Sequence, residues 1–124
     1  GGGAIVLVVD DEEIVRSSLR RALTRFGYRV LEAADGPTAL AAVQNAAPPV
    51  DLVILDLVLP GGGAGIFELL KAVRPELKFL VSSGYTPDSE AAQGMAPRVE
   101  GFLQKPFELP ELKAAVAKAL RGGG

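Results

Sequence analysis

The chain predicts an α/β fold built on a doubly wound, five-stranded parallel sheet, and three features carry that prediction. Continuous apolar runs, Ala4 to Val9 and Leu52 to Leu55, lack the alternating polar positions of a one-sided sheet, so both their faces need cover. Helical apolar stripes fall between such runs, and strand and helix alternate five times. Acids, a hydroxyl and a lysine (Asp10, Asp11, Asp56, Ser83, Lys105) stand directly after strands, at the edge where open α/β sheets bind ligands. Right-handed crossovers turn this alternation into a parallel sheet. The most economical strand order is 2-1-3-4-5, which sets the first and third strands side by side.

Each element has its own warrant. Ala4 to Val9 is a buried strand ending in Asp10-Asp11-Glu12-Glu13. Val15, Leu19, Ala22, Leu23 and Phe26 then follow at helical spacing, and Gly27 ends that helix. Tyr28 to Ala33 alternates imperfectly, as an edge or near-edge strand does, and carries no chemistry of its own. Gly36-Pro37 opens the second helix with proline at its first position, and Pro48-Pro49 closes it. Val50 to Asp56 is the central strand. After Leu57-Val58-Leu59-Pro60 and a glycine-rich loop, Ile66, Leu69, Leu70 and Val73 share one helical face. The loop is no Walker cradle, because no Gly-Lys-Ser/Thr closes it. Leu77 to Val81 is a fourth strand leading to Ser82-Ser83-Gly84-Tyr85. The stretch from Asp88 to Glu100 is the weakest, with at most a short helix around Ala91, Ala92 and Met95, and mobility is expected there. Gly101 to Gln104 is the fifth strand, and a helix from Pro110 buries Leu112, Ala115, Val116, Ala119 and Leu120.

Composition narrows the chemistry. At 124 residues the chain is one domain, taken as 4–121, with Gly1-Gly3 and Gly122-Gly124 as linker or appended residues. Thirteen basic against fifteen acidic side chains offer no bulk field for nucleic acid or an anionic membrane. Arg16, Arg20, Arg21, Arg25 and Arg29 read as a solvated helix face. Ile14, off its helix's stripe and near the acids, is either a scattered exposed apolar residue or part of a docking patch. Absence of cysteine and histidine removes disulfides, thiolate and imidazole catalysis and most transition-metal sites. No apolar run reaches membrane-spanning length and the start shows no signal-like segment, so the expected location is cytoplasmic.

What remains is carboxylates, a hydroxyl, a lysine and a hard cation. With first and third strands adjacent, Asp10, Asp11 and Asp56 meet. Three carboxylates within a few Å repel by several kcal/mol unless a cation joins them. Oxygen-only ligation favours Mg2+, which keeps waters and accepts a phosphoryl oxygen. Together these parts suit phosphoryl transfer: Asp56 attacks, Mg2+ and Lys105 neutralise developing charge, and Ser83 donates to a phosphoryl oxygen. Singly, each has an ordinary role as a turn, a cap or a loop residue.

Val8-Val9-Asp10-Asp11-Glu12, Asp56-Leu57-Val58-Leu59-Pro60, Ser83-Gly84-Tyr85 and Lys105-Pro106-Phe107 together resemble the response-regulator receiver domain of two-component signalling, a flavodoxin-like (βα)5 fold. The resemblance covers Ala4 to Arg121. It implies that Asp56 is the phosphoacceptor and that Asp10 and Asp11 hold Mg2+ with the Val58 backbone carbonyl. It implies a switch pair, Ser83 and Phe102, that reshapes the face formed by the fourth helix, fifth strand and fifth helix, and a cis peptide between Lys105 and Pro106. The implied partner is a histidine kinase or histidine phosphotransfer protein, with no nucleic acid and no membrane, the domain being a monomer or weak dimer. As an isolated domain it would not be an enzyme beyond assisting its own phosphorylation.

One departure is that the family's usual loop has glycine four residues after the proline. Here Ala64 holds that place and Gly65 follows, which reads as a loop one residue longer. The Pro-Gly-Gly form and Ser-Ser-Gly-Tyr-Thr-Pro resemble receivers attached to hybrid histidine kinases. Val58 and Tyr85, two beyond the phosphoacceptor and the switch hydroxyl, are hydrolysis-tuning positions in the family; neither is a strong general base, so slow self-hydrolysis is expected. A dehalogenase-like phosphatase would need an acid where Val58 stands, and a flavodoxin-like electron carrier would not put four acids at its phosphate loop. The remaining alternative is a degenerate receiver that acts only as a protein-interaction module. The chain is expected to be a stand-alone receiver or one cut from a longer protein.

Overall fold

A computed structural model describes residues 3–58, 63–83, 98–105 and 107–121, with Ser83 described for its backbone only. Five parallel strands run β1 (Ile5–Val9), β2 (Arg29–Ala33), β3 (Leu52–Asp56), β4 (Lys78–Ser83) and β5 (Gly101–Gln104). Their order is β2-β1-β3-β4-β5, the doubly wound arrangement predicted. Four helices are present among the described residues: α1 (Glu13–Arg25), α2 (Gly36–Asn45), α3 (Gly63–Val73) and a C-terminal helix (Leu109–Leu120). The short helix and the mobility considered for the 88–100 stretch fall, up to Pro97, outside the described residues, as does the peptide between Lys105 and Pro106. The peptide between Ala47 and Pro48 is cis.

The continuous apolar strands are buried on both faces because alternate side chains feed two separate cores. Val6, Val8, Leu52, Ile54 and Leu80 meet Leu19 and Leu23 of α1 and Leu112 and Val116 of the C-terminal helix. Leu7, Val9, Val53, Leu55, Phe79 and Val81 meet Ala39 and Val43 of α2 and Ile66, Phe67 and Leu70 of α3. Each such side chain contributes about 1.5–3 kcal/mol when fully withdrawn from water, so this pattern dominates any local preference. Phe67 and Phe79 cross edge to face with centroids 4.8 Å apart.

On α3 the inward face differs from the one read from spacing. Leu69 and Val73 are exposed, whereas Phe67 is fully buried with Ile66 and Leu70. Ile66, Leu70 and Val73 fit a helical stripe as well as Ile66, Phe67 and Leu70 do, and only the aromatic partner on β4 decides between them. Three helix ends carry specific caps, the first at the glycine expected to end α1. Gly27, at φ +98°, closes α1: its N–H reaches Thr24 O and that of Tyr28 reaches Leu23 O, both at 3.0 Å, the paired bonds of a Schellman end. Asp35 caps α2 by accepting from Thr38 N–H at 2.9 Å, with Gly36 rather than Pro37 as its first residue. Glu111 reaches back to the Glu108 N–H at 3.0 Å, which starts the last helix one residue before Pro110.

Candidate functional site

Strand register alone assembles the site. Val9 pairs with Leu55, Asp56 with Ser82, and Ser83 with Gln104. Asp10 and Lys105 are the residues that follow the last rungs of β1 and β5, so the edge gathers residues nearly a hundred positions apart in the chain.

Asp10 and Asp56 are buried, 1% and 4% exposed, whereas Asp11 is exposed. One carboxylate oxygen from each of the three lies within 4.8 Å of the other two. Lys105 Nζ stands 3.3 Å from Asp10 Oδ2 and 3.4 Å from Asp56 Oδ2. The opposite oxygens are fixed locally: Asp10 Oδ1 accepts from Glu12 N–H at 2.9 Å, and Asp56 Oδ1 from Val58 N–H at 3.0 Å. Each buried acid thus has one oxygen tied to its own loop and one turned to the shared ammonium. Partial burial pushes the Lys105 ammonium toward losing its proton, but Asp56 and then Asp10 outweigh it and hold the group above the usual lysine range.

Three carboxylates against one ammonium leave two formal negative charges, and around the two buried acids water screens poorly. A hard divalent cation would balance that remainder, and an all-oxygen donor set suits Mg2+. Asp10, Asp11 and Asp56 are the side chains that would hold it, and bound Mg2+ would supply positive charge to the oxygens of a phosphoryl group.

Backbone bonds frame the acids. Asp10 N–H donates to Ala33 O of β2 at 3.1 Å, Leu57 N–H to Ser82 O at 3.0 Å, and Gly63 N–H to Leu57 O at 3.2 Å. Gly63 is a residue that sequence reading passed over. A Cβ there would lie 2.6 Å from the Asp56 carbonyl oxygen and 2.7 Å from Leu57 Cα, whereas one at Gly65 would meet nothing within 4 Å. The glycine the loop requires is therefore Gly63. Counting from the proline pointed to Gly65 because a run of three glycines conceals which one touches backbone. Arg16 departs from the solvated face expected of the α1 arginines. Its Nη1 donates to Asp10 O at 2.8 Å and its side chain is only 17% exposed; Arg21, Arg25 and Arg29 are exposed as expected.

The other anticipated residues are distributed as follows. Ser83 ends β4 in register with Gln104, its side chain outside the described residues, as is all of Tyr85. Phe102 lies half-buried on β5 against the core under α2 and α3. Val58 is exposed, with its N–H on Asp56. Ile14 is 82% exposed and lines an apolar groove with Leu19, Phe107, Leu109 and Leu112. Asp51, at the other end of β3, is a structural acid: its Oδ2 accepts from Ile5 N–H at 2.8 Å.

A parallel sheet in the order 2-1-3-4-5, with acids after β1 and at the end of β3 and a lysine after β5 meeting at its carboxyl edge, defines a flavodoxin-like domain with an acidic site where such sheets bind ligands. The family profile described as the response regulator receiver domain matches residues 6–117, and the chain belongs to that family, the receivers of two-component systems. It is 40% identical over 120 residues to the sensor kinase CckA of Brucella abortus (strain 2308), covering 96% of this chain and 13% of that protein. It is 38% identical over 117 residues to the response regulator MprA of Mycobacterium sp. (strain KMS), covering 94% of this chain and 50% of that protein. The chain thus spans half or less of these curated relatives. Among solved structures, the response regulator TrrA of Thermotoga maritima in complex with Mg(2+)-BeF superposes with a TM-score of 0.80 at 29% identity, covering 94% of this chain and 98% of that one. No helix among the described residues is long and apolar enough to cross a membrane.

Proposed function

We propose that this chain is a phosphoacceptor in a two-component phosphorelay, taking a phosphoryl group onto Asp56 from a histidine of a kinase or phosphotransfer protein. The observation that carries this reading is the buried Asp56 carboxylate, 3.4 Å from Lys105 Nζ and within reach of the same cation as Asp10 and Asp11. An Asp56 carboxylate oxygen forms the new P–O bond, the P–N bond of the donor histidine breaks, and the released imidazole takes a proton from water. Lys105 balances charge that develops on the transferred group, since it starts poised between two acids and needs no reorganisation. Asp10, Asp11 and Asp56, with the Val58 carbonyl, would hold Mg2+, which would supply positive charge to the oxygens of the transferred group. Ser83 donates to the transferred group, and Phe102 responds by moving further into the core it already touches, reshaping the face around β5. The Ile14 groove beside the acids receives the partner.

The domain is read as residues 4–121, working in the cytoplasm as a monomer or weak dimer. The 40% identity to a sensor kinase over a small part of that protein supports a hybrid-kinase parent. The isolated domain is not an enzyme in its own right. Treatment with acetyl phosphate and Mg2+ is expected to add one phosphoryl group by intact mass, and Asp56→Asn is expected to abolish the addition. A chain that acquires no phosphoryl group under these conditions would be an interaction module instead.

The phosphorylated state is expected to be long-lived, because neither Val58 nor Tyr85 can act as a strong base toward water. Val58→Asn with Tyr85→Glu should speed loss of the phosphoryl group on the order of tenfold, short of a full general-base contribution. An unchanged decay rate, followed by mass after donor removal, would refute the assignment of those two positions.

A further inference from the structure

Asp10 is fixed at more than its carboxylate. Its N–H is tied to Ala33 O on β2, and its carbonyl accepts from Arg16 Nη1 at 2.8 Å. The same guanidinium sets Nε 3.3 Å from Glu32 Oε1, while Arg20 Nε holds Glu32 Oε2 at 3.0 Å. A guanidinium presents its donors in one rigid plane, so a carboxylate that anchors one edge aims another. The edge Arg16 aims grips the peptide joining Asp10 to Asp11.

We infer that Glu32 and Arg16 form a brace that positions the Asp10-Asp11 pair for cation binding. The inference rests on the reading of these acids as Mg2+ ligands. The peptide plane between two consecutive residues sets how their side chains diverge. Asp10 is buried and Asp11 exposed, so the connecting peptide sets the spacing of the exposed acid from the buried one. Without Arg16 that plane turns about its flanking bonds, and a site demanding near-ideal geometry loses its spacing. Strand β2, which carries no reactive side chain, thus reaches the site through α1. Arg16 and Glu32 are positioning residues, not ligands.

Calorimetric titration of the full chain with Mg2+ at fixed ionic strength tests this, together with thermal melting of the metal-free proteins. Arg16→Met is expected to weaken Mg2+ binding about tenfold, the low end for outer-shell partners, and Glu32→Ala severalfold. Arg20→Ala, which touches Glu32 but not Asp10, should stay within about twofold because exposed pairs contribute little. The double variant Arg16→Met/Glu32→Ala should bind no more weakly than Arg16→Met alone, as members of one unit do. Both single variants should lose affinity while their metal-free melting stays close to that of the unaltered chain. Mg2+ affinity unchanged in both, or lost only in step with unfolding, would overturn the brace. If Arg16→Met does not fold, Glu32→Ala decides. Failure of the unaltered chain to bind Mg2+ would overturn the metal reading itself and the brace with it.

Discussion

Gly63→Ala is expected to destabilise the protein by about 1–3 kcal/mol, the range for forcing an extra methyl into filled space. The upper end is favoured because the obstacles, Asp56 O at 2.6 Å and Leu57 Cα at 2.7 Å, are backbone atoms at and just beyond the end of the central strand and cannot swing aside. Relief can come only by lifting the start of α3 away from the loop that bears Asp56 and Val58, so uptake of a phosphoryl group from acetyl phosphate should fall as well. Gly65→Ala is the control. With open space around it inside a helix, it should be neutral or stabilising by up to about 1 kcal/mol, since alanine is the better helix former. Urea midpoints at constant slope measure both. Equal responses at 63 and 65 would mean that the tight contact is not what the loop depends on.

Lys105→Met should act on the metal-free protein and be corrected by Mg2+. Removing one partner of a dry ion pair costs about 3–5 kcal/mol. A quarter of the Lys105 side chain is exposed, which reduces the expected loss to roughly 2 kcal/mol. Asp10 and Asp56 would then face each other without their ammonium, and a divalent cation should restore much of the loss by mass action. Comparing thermal melts with and without Mg2+ reads this directly: the variant should gain more from Mg2+ than the unaltered chain does. The sign with pH follows from the raised lysine. Its contribution is complete below the ordinary value of 10.5 and fades as pH climbs through the higher folded value. Stability of the unaltered metal-free chain should therefore drop at strongly alkaline pH, and that step should be absent in Lys105→Met. A variant with the same melting profile, indifferent to Mg2+, would show that Lys105 does not balance the acids.

The fold was legible because burial on both faces leaves an unambiguous trace. Val6 to Val9 and Leu52 to Leu55 could be nothing but central strands, and once they are neighbours Asp10 and Asp56 must meet. Lys105 followed from the same argument at β5. Less legible was whatever depends on one backbone touching another. Gly63 carries no side chain to announce its contact, and Arg16 looks like any helix arginine until the carbonyl of Asp10 is placed beneath it. The inward face of α3 escaped for a related reason: apolar residues outnumber the positions the core can accept, and Phe79 across the gap selects Phe67. Ser83 came from the same strand-end argument at β4, whereas its pairing with Phe102 and the role of Tyr85 rest on motif resemblance.

Parallel pairing of Val9 with Leu55 ties chemical competence to correct threading. Sliding β3 by one residue would send its apolar side chains to the wrong faces and would carry Asp56 out of reach of both Lys105 and Asp10. A chain that has mispaired its sheet therefore never brings its acids and its lysine together, so the pocket itself certifies that the threading is right.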